Sequence, residues 1–132
     1  MINLLLVDDH DIVRAGLIRL LENQQNINIV GDVGSGEAAY NFLREKQADV
    51  IVMDLSMPGK GGIESTRQIK KQYPEIEILI LSMHDNSTMA KKVMEAGAIG
   101  YILKNDIADD LINAIYSVSN SEVVFSKSIK AS

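Results

Sequence analysis

Val50-Ile51-Val52-Met53-Asp54 sets four apolar residues in succession before a carboxylate. A strand with one wet face alternates apolar and polar residues. Consecutive apolar residues instead suit a strand covered on both faces, as in parallel sheets sandwiched between helices. Leu4-Leu5-Leu6-Val7, which runs into Asp8-Asp9, and Tyr101-Ile102-Leu103, which runs into Lys104, share the pattern. Apolar runs at Ile2 to Val7, Ile27 to Val33, Val50 to Met53, Ile78 to Leu81 and Ile99 to Leu103 alternate with segments of helical periodicity, five times over. The connections are long enough for right-handed crossovers. The expected fold is therefore α/β, a doubly wound five-stranded parallel sheet with helices on both faces.

Local signals punctuate this order. Ser35 before Gly36-Glu37-Ala38, Ser87 before Thr88-Met89 and Asp106 before Ile107 can each accept a backbone N–H at a helix start. Gly97 is expected to close the fourth helix by left-handed capping, and Pro74 the third because it lacks an N–H. Residues 1–120 read as one domain. From Ser119 to Ser132 no clear period remains around Val123-Val124-Phe125. That stretch reads as a short docked segment, with 121–132 a tail or the start of a linker.

The 132 residues suit one domain, with 46% hydrophobic residues to supply a core. A net charge of −5 argues against direct grip on a polyanion. The chain has no cysteine, which excludes thiolate chemistry and suits a reducing compartment. No apolar stretch approaches membrane-spanning length, and Asp8, Asp9 and Asp11 interrupt the only N-terminal apolar run. The expected location is cytoplasmic.

In doubly wound sheets ligands bind beyond the carboxyl ends of the strands, where Asp8, Asp9, Asp54 and Lys104 would converge. Two like unit charges about 4 Å apart repel by about 4 kcal/mol at an effective dielectric of 20. A raised carboxyl pKa, a neighbouring cation such as Lys104, or a bound divalent metal could offset that repulsion. Hard oxygen donors favour Mg2+, which keeps several waters and takes one or two carboxylates plus a phosphate oxygen.

Four separated stretches, Asp8-Asp9, Asp54-Leu55-Ser56-Met57-Pro58-Gly59, Leu81-Ser82-Met83-His84 and Ala96-Gly97-Ala98-Ile99-Gly100-Tyr101-Ile102-Leu103-Lys104, together resemble a response-regulator receiver domain of two-component systems. The resemblance covers residues 1 to about 120, and its wording is similar to the NarL/FixJ (LuxR-type) class. It implies a flavodoxin-like (βα)5 fold with strand order 2-1-3-4-5. It also implies a fragment of a longer transcription regulator whose C-terminal DNA-binding helix-turn-helix is absent here.

By that resemblance Asp54 would accept a phosphoryl group from the phosphohistidine of a histidine kinase. Asp9, Asp54 and the backbone carbonyl of Ser56 would hold Mg2+, with Asp8 acting through metal-bound water. Lys104 would bind a phosphoryl oxygen. Ser82 would swing inward to the phosphoryl group, Tyr101 would rotate into the vacated volume, and the surface of helix 4, strand 5 and helix 5 would change to control an effector. Ser56 and His84 would flank the hydrolytic water and set the phosphoryl lifetime. Such a protein is not an enzyme on a separate substrate; it is a phosphoacceptor that assists its own phosphorylation and dephosphorylation. Many receivers place a cis proline after the lysine, whereas Asn105 follows Lys104 here. A cis bond before a non-proline residue costs about 3 to 4 kcal/mol, which weighs against one.

Other residues have plainer readings. His10 and His84 read as polar edge residues, because neither has a second histidine at ligand spacing. Met53, Met57, Met83, Met89 and Met94 read as fillers of core or loop gaps. On the first helix Val13, Leu17, Leu20 and Leu21 form one stripe, leaving Ile12, Ala15 and Ile18 on another side. On the fifth, Ile112 and Tyr116 lie off the stripe of Ile107, Leu111, Ile115 and Val118. These off-stripe residues are the expected partner surface, for a kinase or for a homodimer formed on phosphorylation, unless they are merely scattered surface apolars.

Three competing functions share parts of the pattern. A phosphatase with a covalent aspartyl intermediate usually carries its nucleophile after the first strand with a second Asp two residues on, whereas Asp8 and Asp9 are adjacent. A flavin-binding electron carrier needs a hydroxyl- and glycine-rich first loop, and Asp8-Asp9-His10-Asp11 would repel its phosphate. A degenerate receiver acting only by binding would have lost acidic-site residues that this chain keeps.

Overall fold

The computed structural model describes residues 1–57, 59 and 61–126. Five strands and five helices alternate: β1 (Ile2–Val7), α1 (Asp11–Leu21), β2 (Ile27–Val33), α2 (Gly36–Leu43), β3 (Val50–Asp54), α3 (Gly61–Gln72), β4 (Glu77–Ser82), α4 (Ser87–Glu95), β5 (Gly100–Leu103) and α5 (Ile107–Ser119). The sheet is parallel, in the order β2-β1-β3-β4-β5, so the expected flavodoxin-like order is present. One strand more than expected completes it. Val124–Phe125 forms β6, parallel to β5 at the sheet edge.

The consecutive apolar runs divide between two cores because successive side chains of a strand point to opposite faces. Leu5, Val7, Ile51, Met53, Ile78 and Ile80 pack with Ala39, Leu43, Ile69, Ala90 and Val93 of α2, α3 and α4. Leu4, Leu6, Val50, Val52, Leu79 and Leu81 pack on the other face with Leu17 and Leu21 of α1 and Leu111, Ile115 and Val118 of α5. Each fully buried Leu or Ile contributes about 1.5–3 kcal/mol of apolar transfer, which anchors the strand ends that carry the polar groups.

Two of the expected helix caps differ from the structure. Ser35 does accept from the Ala38 N–H at 3.0 Å. For α4 the cap is Asn86, one residue earlier than expected, whose Oδ1 accepts from the Met89 N–H at 2.9 Å; Ser87 is already helical. Asp106 precedes α5 but makes no side-chain cap bond, because the chain enters through a 3-10 turn at Lys104–Asp106. Gly97 closes α4 with φ +117°, and Pro74 follows α3 as expected.

The docked tail also has a definite structure. The Val124 N–H donates to the Ile99 carbonyl, and the Ser126 N–H to that of Tyr101, both at 2.9 Å. The buried Ser126 Oγ in turn accepts from the Leu103 N–H at 2.8 Å. Residues 127–132 of the expected tail lie outside the described residues, as does Pro58 of the acceptor motif. Among the described residues no helix is long and apolar enough to cross a membrane.

Candidate functional site

Strand register brings the chemistry together. Val7 lies opposite Met53, so Asp8 follows β1 beside the residue that ends β3, Asp54. Asp54 pairs with Leu81, one residue before Ser82, and Ser82 pairs with Leu103, one residue before Lys104. Four neighbouring strands thus release Asp8, Asp9, Asp54, Ser82 and Lys104 along one edge, where the sequence placed them.

Asp54 is 1% exposed. Its Oδ1 lies 3.0 Å from the Lys104 Nζ and accepts a longer bond from the Ser56 N–H at 3.4 Å. Its Oδ2 is buried without a hydrogen-bond partner, as is Oδ2 of Asp8. Asp8 Oδ1 accepts from the His10 N–H at 2.8 Å. Asp9 Oδ1 has no hydrogen bond, and the His10 Nδ1 sits 3.1 Å from it and 3.3 Å from Asp8 Oδ1.

Burial pushes the pKa of Asp54 up; the Lys104 ammonium opposes the shift, the Asp8 charge adds to it, and the Ser56 N–H pulls weakly down. Desolvation therefore outweighs the Lys104 ammonium beside it. Ligand atoms of Asp8, Asp9, His10 and Asp54 all lie within 4.8 Å of one another. Buried carboxylate oxygens without partners, on residues whose ligand atoms lie this close together, are an arrangement a divalent cation relieves, so this residue set fits a metal.

The expected switch pair is held by one backbone segment. Ser82 is buried, and its Oγ accepts from the His84 N–H at 2.9 Å. The Tyr101 hydroxyl donates to the His84 carbonyl at 2.8 Å. Burial raises the Tyr101 pKa; a hydrogen bond with Ser82 opposes this, and the Asp85 charge adds to it. Tyr101 is 0% exposed. The ring lies inward in this structure, with its hydroxyl satisfied by the His84 carbonyl. Ser56 and His84 both stand exposed at the rim, and His84 lines, with Ser56, Gly61, Gly62 and Met89, a pocket of roughly 270 Å³. The Lys104–Asn105 bond is trans.

Two contributors escaped the sequence reading. His10 has no second histidine at ligand spacing, yet its neighbours here are the Asp8 and Asp9 carboxylates. Arg14 ties the loop after β1 in place: it donates to the Asp8 carbonyl, to Asp32 Oδ1 at 2.9 Å and to Asp11 Oδ1 at 3.0 Å. Only the i, i+3 spacing of Asp11 and Arg14 hinted at that role.

The expected partner surface separates into two kinds of residue. Ile12 is 88% exposed, and Ala15 beside it is exposed too. Ile18, Ile112 and Tyr116 are half-buried against the α1/α5 core, so packing already accounts for much of their apolar character. Met83, expected to fill a gap, is 80% exposed, because it follows Ser82 where the chain leaves the sheet.

Comparison with known proteins agrees with the fold. The family model for the response regulator receiver domain matches residues 4–116. The response regulator UvrY of Escherichia coli K12 is 43% identical over 122 residues, 92% of this chain and 56% of UvrY. The chain therefore spans about half the length of the curated relatives it matches. A LuxR-family two-component response regulator from Aurantimonas superposes with a TM-score of 0.93 at 40% identity, covering 98% of this chain and 92% of that one. The isolated receiver domain of Salmonella RcsB, solved with the phosphomimetic BeF3−, superposes with a TM-score of 0.88 at 30% identity, covering 97% of this chain and 95% of that one.

Proposed function

The chain belongs to the response regulator receiver domain family, and from that premise we propose that it is a phosphoryl-accepting switch whose acceptor is Asp54. The observation that carries this is the Asp54 carboxylate itself: buried, raised in pKa, unpartnered at Oδ2 and 3.0 Å from a lysine ammonium.

A carboxylate oxygen of Asp54 attacks the phosphorus of a kinase phosphohistidine. The new O–P bond makes an acyl phosphate while the P–N bond breaks and the imidazole leaves. Phosphoryl transfer asks the protein chiefly for in-line positioning and for charge to meet the equatorial oxygens. Lys104, already ion-paired with Asp54, is placed to follow the charge onto a phosphoryl oxygen as a point charge. Asp9 and Asp54, with the Ser56 backbone carbonyl, would hold Mg2+, and Asp8 would act largely through bound water. Bound there, the cation supplies charge neutralisation for the incoming phosphoryl oxygens.

Ser82 would exchange its bond from the His84 N–H for one to the phosphoryl group. Because Tyr101 holds the carbonyl of that same residue, such a move would be felt at β5 and the α4/β5/α5 surface. Driving the equilibrium from 1:99 to 99:1 takes about 5.5 kcal/mol of differential stabilisation, within reach of a few charge-assisted hydrogen bonds. Ser56 and His84 would flank the water that ends the signal.

A histidine kinase as phosphodonor, a homodimer on phosphorylation, and transcriptional control through a helix-turn-helix domain in a longer protein follow from the same reading. So does a cytoplasmic site of action. RcsB, a structural relative at 30% identity, has been solved in complex with DNA. Asp54→Asn should abolish phosphoryl uptake; labelled phosphate appearing in that variant would refute the assignment.

A further inference from the structure

Lys104 is the first residue after β5, so the end of that strand sets where its side chain begins. Backbone groups two residues apart on a strand face the same neighbour. The Ile99 and Tyr101 carbonyls accept from the Val124 and Ser126 N–H groups, each at 2.9 Å, and the Leu103 N–H faces that side as well. β6, however, ends at Phe125. Where a longer strand would offer its next carbonyl, a side chain stands instead: the Ser126 Oγ accepts from the Leu103 N–H at 2.8 Å. Ser126 is 3% exposed, and Leu103 is buried with it. Val124, packed against the core that contains α1 and α5, keeps the segment in place. A buried N–H deprived of its acceptor draws the backbone toward another one. Leu103 is already paired with Ser82 on its other side, and the chain turns into a 3-10 helix at Lys104, so the movement open to it is in the turn that carries the lysine.

We propose that Ser126 is a positioning residue for phosphoryl transfer: through the Leu103 N–H, its hydroxyl fixes the turn from which Lys104 reaches Asp54 and the incoming phosphoryl group. The inference rests on the phosphoacceptor reading above and adds a residue to it from the far end of the chain. Lysine meets phosphoryl oxygens as a point charge, so its value in transfer depends on where the ammonium stands, now 3.0 Å from Asp54 Oδ1. Ser126→Ala removes the hydroxyl while the Ser126 N–H can still donate to the Tyr101 carbonyl, so β6 stays docked and only the support under Lys104 is lost.

The test is the rate at which acetyl phosphate phosphorylates the whole chain at fixed Mg2+, followed by intact mass, in wild type, Ser126→Ala, Lys104→Met and the double variant. Ser126→Ala should react about tenfold more slowly than wild type. In the Lys104→Met background the same substitution should change the rate by less than about twofold, because the group through which Ser126 acts is gone. A merely structural role would instead slow both backgrounds by the same factor. Ser126→Thr keeps the oxygen and should react within about twofold of wild type. A wild-type rate in Ser126→Ala, an equal loss with and without Lys104, or a Thr variant as slow as the Ala variant would each overturn the inference and leave the phosphoacceptor reading standing. A wild-type chain that gains no phosphoryl group would overturn both.

Discussion

Asp54 is a residue whose stability cost and chemical use have the same origin. Burial raises its pKa above the usual 3.8, so the folded state holds this proton more tightly than the unfolded state does. Stability from this group is therefore greatest below the unfolded value and falls as pH rises through the folded pKa. Asp54→Asn should raise the metal-free melting temperature by a few degrees at pH 7 and flatten its decline with pH. A lower melting temperature would contradict that account. Divalent cation should stabilise wild type and leave the variant nearly unmoved, since binding to the folded state alone adds stability. Lys104→Met works in the opposite direction. Removing the ammonium 3.0 Å from Asp54 leaves the buried carboxylate without its cation and should destabilise the metal-free protein by roughly 1–3 kcal/mol, read by urea denaturation. At this scale the sequence named Asp8, Asp9, Asp54 and Lys104 because each ends an apolar run. It could not place the His10 ring, which lies against the Asp8 and Asp9 carboxylates.

At the scale of elements, the acceptor strand is held by close backbone approach as much as by side chains. A Cβ at Gly62 would stand 2.8 Å from the Leu55 Cα and 2.9 Å from the Asp54 carbonyl oxygen. Those atoms are main chain, so the start of α3 and the end of β3 would have to separate. Gly62→Ala should slow phosphorylation and destabilise the fold by about 1–3 kcal/mol, the usual cost of overpacking. Unchanged phosphorylation would show that the loop has slack. The strands were readable because consecutive apolar residues need cover on both faces. The sixth was not, since two residues with one exposed side chain, Phe125, carry no period. Its contribution lies in backbone hydrogen bonds and in Ser126, whose hydroxyl oxygen satisfies the Leu103 N–H. The misplaced cap of α4 has a similar cause: Asn86 and Ser87 are both good caps, and only the backbone turn chooses between them.

Across the whole molecule, two cores clamp a sheet whose carboxyl edge gathers the charge, and the exposed apolar face of α1 adjoins that edge. Ile12 and Ala15 stand one and four residues beyond Asp11, the first residue of α1, clear of the core. Lys at both positions should slow kinase phosphotransfer or dissociate a phosphorylated dimer without altering the melting temperature. No change in either would mark the face as ordinary surface. Ile18 is unsuited to the same test, because its packing against the core would mix destabilisation with lost recognition. Helical periodicity identified both faces of α1 but not how far the sheet covers each one.

The most direct measurement is the intact mass of the wild-type chain after incubation with acetyl phosphate, with and without Mg2+. A phosphoacceptor at Asp54 gains a single phosphoryl group that depends on Mg2+, is lost in Asp54→Asn, and maps to Asp54. No gain in mass, or a gain that survives that substitution, would contradict it.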